Sequence, residues 1–73
     1  MKTFAVTIEL TNIENGHVTS TWRIFRGENI DEAKERAECY AIENFELQDW
    51  LEYRFGEFEE VEYDIISGSY KKV

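Results

Sequence analysis

Apolar and polar residues alternate along the first quarter of the chain. Phe4, Val6, Ile8 and Leu10 interleave with Ala5, Thr7, Glu9 and Thr11. A period of two with good β-formers predicts a strand over residues 3–12. Val18, Ser20, Trp22 and Ile24 alternate with His17, Thr19, Thr21 and Arg23, which predicts a partner strand over residues 17–26. Asn15-Gly16 between them is a strong hairpin signal. The best match of apolar residues across the hairpin comes from a three-residue loop, Glu14-Asn15-Gly16, with Gly16 left-handed in a bulge. Val6 would then face Ile24, Ile8 would face Trp22, and Leu10 would face Ser20. Phe25 would fall on the face opposite Trp22 and Ile24.

The period then changes. Asn29-Ile30-Asp31-Glu32 has the form of a helix start, with Asn29 as cap and Glu32 at the third helical position. Ile30, Ala33, Ala37, Tyr40, Ala41 and Phe45 recur at helical spacing, predicting a helix from 30 to about 44. The small alanines predict close packing on the hairpin. Residues 46–56 satisfy two templates. As a helix, Leu47, Trp50, Leu51 and Phe55 share a face, with Gly56 just beyond the end. As a strand, Leu51, Tyr53 and Phe55 alternate with Glu52 and Arg54. The helical template collects more matches and is the expectation, as a second helix or a bent extension of the first. Val61, Tyr63 and Ile65 alternate with Glu60, Glu62 and Asp64, which predicts a strand over 58–66. Ser67-Gly68-Ser69 then turns into a short basic tail, Tyr70-Lys71-Lys72-Val73, that is expected to fray.

These elements describe one α+β domain over residues 1–73, in which one or two helices cover one face of an antiparallel hairpin. A hairpin alone is marginal, so the C-terminal strand is expected to join the sheet. The chain has 73 residues, a length that suits one small domain with a modest core. Aromatics are 15 % of it, far too many for a disordered acidic tail. Trp50, Phe55 and Tyr63 are the expected core aromatics here, and Tyr53 and Phe58 the exposed ones.

Charge narrows the function. Sixteen acids against eight Lys and Arg give a formal charge of −8. That argues against direct binding of nucleic acid or an anionic membrane, and favours basic partners. No stretch is long and apolar enough to span a bilayer, and Met1-Lys2-Thr3-Phe4 opens no apolar signal core. A lone Cys39 predicts a reducing, cytoplasmic setting.

Little in the chain predicts catalysis. His17 sits beside the hairpin turn and Cys39 in the helix, where it is expected to pack partly into the core, with nothing to bring the two together. Ser20, Ser67 and Ser69 lack an elbow motif. Asn12, Glu14 and Asn15 offer oxygens without the ligand spacing of a calcium loop, and no Cys/His set suits zinc. Arg26-Gly27-Glu28-Asn29 occupies the place of a phosphate loop but has one glycine and an acid. The expectation is a non-enzyme with no cofactor and no metal.

The acids are unevenly spread. Fourteen of the sixteen lie between Glu28 and Asp64, where only Lys34, Arg36 and Arg54 oppose them. Glu32 with Arg36, and Lys34 with Glu38, are four apart and suited to pair on the helix. Past Glu38 compensation nearly stops. Glu43, Glu46, Asp49 and Glu52 step by three, and Glu57, Glu59, Glu60, Glu62 and Asp64 follow. Carboxylates at these spacings stand about 5–7 Å apart on a helix or strand, of the order of successive phosphates. Together with Tyr53 and Phe58, these nine acids form the expected partner-binding set. The function they predict is occlusion of a basic, nucleic-acid-binding protein surface by mimicry of nucleic acid. In size, charge and layout the chain is similar to small inhibitors of phages and mobile elements, such as anti-CRISPR and anti-restriction proteins. The alternative is a structural or assembly module that works as a homo-oligomer through an uncovered sheet face.

Overall fold

A computed structural model describes residues 1–46 and 48–73. The elements are β1 (Lys2–Asn12), β2 (Val18–Gly27), α1 (Ile30–Asn44), β3 (Leu51–Phe55), β4 (Glu59–Asp64) and β5 (Ser69–Lys72). They build an α+β domain with one antiparallel sheet. β1 is central: β2 lies on one side, while β3 and β4 follow one another along the other, and β5 pairs with β4.

The hairpin forms with a longer loop than the apolar match predicts. Thr7 faces Trp22, Ala5 faces Ile24 and Phe4 faces Phe25, one step away from the expected register. Gly16 is left-handed at φ +73°, as expected, but the loop has four residues, Ile13 to Gly16. It is closed by Asn12 N–H to the His17 carbonyl at 2.8 Å and Gly16 N–H to the Asn12 carbonyl at 2.7 Å. The Asn12 and Asn15 side chains accept from the Glu14 and His17 amides, so both asparagines serve the turn. Apolar matching on one face fails as a guide because large apolar side chains pack on both faces. Phe25 lies on the helix side, against Tyr40. Trp22 lies on the other, where its ring meets that of Tyr70 at 5.0 Å. β2 and β5 stand at opposite ends of the strand order, so that contact means the sheet curls and brings the β4–β5 hairpin over one end of its second face.

α1 begins as the sequence predicts. Asn29 Oδ1 accepts the Glu32 amide at 3.0 Å, and Asp31 and Glu32 occupy the first turn. Ala33, Ala37 and Ala41 are fully buried, and their small side chains allow the helix to approach the sheet closely. The helix ends at Asn44, with Phe45 N–H closing on the Ala41 carbonyl at 2.8 Å.

The helix expected over residues 46–56 does not form. Leu51–Phe55 is a strand, paired from Ile8↔Phe55 to Asn12↔Leu51. Leu47, counted on that helical face, lies outside the described residues. Backbone satisfaction decides the case: this half of β1 would otherwise leave a row of donors and acceptors unpaired, and β3 fills it. The tail expected to fray is likewise a strand, β5, bonded to β4 from Asp64↔Ser69 to Val61↔Lys72.

β3 and β4 are two halves of one path, broken at Gly56, Glu57 and Phe58. Paired positions shift by one residue between them, from Ile8↔Phe55 to Phe4↔Glu60. A one-residue shift exchanges faces. Leu51, Tyr53 and Phe55 therefore point to the helix side, whereas Val61 and Tyr63 point to the opposite one.

Candidate interaction surface

The helix side carries a continuous row of rings. Phe25, Tyr40, Phe45, Tyr53, Phe55 and Phe58 meet pairwise at centroid separations of 5.6, 5.7, 5.8, 5.7 and 5.9 Å. Edge-on and tilted contacts at such separations are favourable ring arrangements. Three elements set this row: β2 supplies Phe25, the last turns of α1 supply Tyr40 and Phe45, and β3 with its bulge supplies the rest. Tyr53 and Phe58 are thus half-buried in the row instead of exposed. Trp50, expected in the core, is 43 % exposed. Phe55 and Tyr63 are half-buried.

Cations stand at both ends of the row. The Arg23 guanidinium lies 6.0 Å from the Tyr40 ring centre and donates to its hydroxyl at 3.0 Å. The Lys34 ammonium lies 5.9 Å from the Phe58 ring centre. The Lys34–Glu38 pair expected from their spacing is not among the ion pairs of the described residues, whereas Glu32 and Arg36 do pair, at 3.3 Å. Between α1 and the bulge runs an open groove of about 570 Å³, walled by Ile30, Lys34 and Glu38 on the helix and Phe55 to Phe58 on the sheet.

Carboxylates rim the row. The Tyr53 phenol donates to Glu46 Oε1 at 3.4 Å. Burial pushes the Tyr53 phenol above its ordinary value, and the charges of Glu46 and then Glu38 push it further. Glu46 thus stands at the Tyr53 hydroxyl, and Glu38 and Glu57 line the groove beside Phe55 and Phe58. Glu38 lay outside the set read from the sequence. Its four-residue spacing from Lys34 marked it as already paired, and only the fold shows Lys34 turned to Phe58.

The other expected partner-binding acids divide into two groups. Glu59, Glu60 and Glu62 are held by cations, at 3.4 Å from Lys72, 3.7 Å from Lys2 and 3.5 Å from Lys71. Glu43, Glu46, Asp49, Glu52 and Glu57 are exposed and outside the ion pairs of the described residues, as is Asp64. Glu43, Glu46, Asp49 and Glu52 do not form one helical row, because α1 ends between the first two. They are spread from the last helical turn to β3. Asp64 caps the β4–β5 turn: its Oδ1 accepts the Ile66 amide at 2.9 Å, which holds its carboxyl below the usual range.

His17 and Cys39 are both exposed, one beside the hairpin loop and the other on α1. The partial core packing expected of Cys39 is not found, since buried Ala33, Ala37 and Ala41 take the inner face. Among the described residues no three His, Cys, Asp or Glu side chains gather as metal ligands, and no helix is long and apolar enough to cross a membrane. No protein-family model, curated protein or solved structure matches the chain.

Proposed function

We propose that this protein is a non-enzymatic acidic binding protein that docks on a basic, nucleic-acid-binding surface of a partner protein and occludes it. The observation that carries this reading is the aromatic row rimmed by Glu38, Glu46 and Glu57, carboxylates outside the ion pairs of the described residues. An aromatic face accepts a cation, and a nearby carboxylate holds it. Arg23 and Lys34 already sit over two of these rings, so the row suits the basic side chains with which a partner would otherwise grip phosphates. Glu43 and Asp49 extend the negative field around it and steer the approach, while Glu52 lies on the opposite sheet face. Glu60, Glu62 and Asp64 form the margin of the surface, while Glu59 faces the other way beside Ala5. The setting is a reducing cytoplasm, and the role is that of an inhibitor of the phage or mobile-element kind.

Charge reversal tests the site. The immobilised chain is exposed to cell lysate across a salt series, beside a Glu38→Lys/Glu46→Lys/Glu57→Lys variant. Expected is capture of nucleic-acid-binding proteins that weakens steeply with salt and fails for the variant. The same capture by the variant, with the same salt slope, rejects the groove as the docking surface.

A further inference from the structure

The sheet face turned away from α1 is covered only at one end. There Tyr70 packs on Trp22, and Ala5 and Val61 are buried. Beyond Trp22 the face is open. Its strand positions are Thr7, Glu9 and Thr11 on β1, Val18 and Ser20 on β2, and Glu52 and Arg54 on β3. The Ile13 amide donates to the Trp50 carbonyl at 2.9 Å, one step beyond Asn12↔Leu51. Ile13 and Trp50 therefore adjoin the end of this sheet. Trp22 lies on the face and Trp50 beside its end, at 41 % and 43 % exposure, with Ile13 and Val18 at 51 % and 52 %.

We propose that a second copy of the chain covers this open face. Charge identifies the occupant. In a molecule of net charge −8, the strands of this area carry only Glu9, Glu52 and Arg54, and Glu9 pairs with Arg54 at 3.3 Å. Two such acidic chains approach with least repulsion where each is nearly neutral. A basic partner is drawn instead to the groove on the other side. The remaining charges are self-complementary. Glu52 and Arg54 stand two apart on β3 and share this face. A two-fold axis near position 53 sets Arg54 of one copy over Glu52 of the other, and repeats the contact by symmetry. The Arg54 side chain is 80 % exposed and has room for a second carboxylate. The tryptophans supply the apolar anchors such an interface needs.

The test is sedimentation velocity of the intact chain from about 1 µM to about 1 mM, alone and as Trp50→Glu, Val18→Glu and Glu52→Lys, with circular dichroism to confirm folding. The expected result is a dimer that added salt strengthens, because screening removes repulsion between like-charged chains. Trp50→Glu weakens it at least about tenfold. Glu52→Lys, an exposed change that leaves the fold intact, weakens it by setting Lys against Arg54. The Glu38→Lys/Glu46→Lys/Glu57→Lys variant still dimerises, which separates this interface from the acidic groove. A wild-type monomer throughout the range overturns the proposal. So does a dimer indifferent to all three face substitutions.

Discussion

Gly27 ends β2 where the chain turns into α1, and there is no room beside it. A Cβ at this position would lie 2.9 Å from the Ala33 nitrogen and 3.1 Å from the Asn29 carbonyl oxygen. Both are backbone atoms of the helix start, so relief requires moving the helix. Gly27→Ala is expected to cost about 1–3 kcal/mol in urea unfolding. Gly16→Ala meets open space and costs only the strain of a left-handed Cβ, about 1 kcal/mol. Equal losses at the two sites would contradict this view of the β2–α1 joint. Tyr53 predicts a pH response. Its phenol is raised in the fold, so its contribution is fully present below the ordinary phenol value of about 10 and is lost as pH rises through the folded value. Tyr53→Phe should flatten the fall in stability above pH 10, followed by chemical denaturation at fixed ionic strength. An unchanged alkaline fall in the variant would assign it to other groups. Asp64 acts at the acid end with the opposite sign. Its carboxyl is lowered, so its contribution holds above the ordinary carboxylate value and fades as pH falls through the folded one.

At the scale of elements, the legible parts of the sequence were those with a local cause. The β1–β2 hairpin follows from alternation and Asn-Gly, and α1 from its Asn29 cap and alanine spacing. β3 was legible only as a second choice. Leu51, Tyr53 and Phe55 do alternate, but Leu47, Trp50, Leu51 and Phe55 fit a helical face in greater number. What settles β3 is the open edge of β1, a non-local fact. β5 was hidden for the same reason, since its pairing depends on β4. The bulge at Gly56 to Phe58 was not legible at all, although it decides which side chains face the helix. It makes a sharp prediction. Deleting Glu57 gives one continuous register in which Phe55 still faces Ile8 and Glu60 still faces Phe4, so Val61 keeps its buried face. The deletion and Glu57→Ala should therefore both retain cooperative unfolding in urea. Loss of cooperative unfolding in the deletion variant alone would show that the extra residue is needed to join β3 to β4.

For the whole molecule, the net charge of −8 is distributed by the fold in a way the chain order does not show. The basic tail folds back as β5 and neutralises Glu59 and Glu62, while Lys2 reaches Glu60. The strand that looked most densely acidic is thereby the best compensated. Glu38 and Glu46, separated by a helix end, rim the same aromatic row, Glu38 in its groove and Glu46 at the Tyr53 hydroxyl. The acidic surface was legible in amount but not in place, because ion pairing depends on strand partners far apart in sequence. The proposed occlusion of a nucleic-acid-binding site is tested most directly by competition. Partner proteins captured on the immobilised chain at about 50 mM salt are challenged with short duplex DNA at matched ionic strength. DNA should release them, because both ligands seek the same basic surface. Partners that remain bound under saturating DNA, and bind DNA and this protein together, would contradict it.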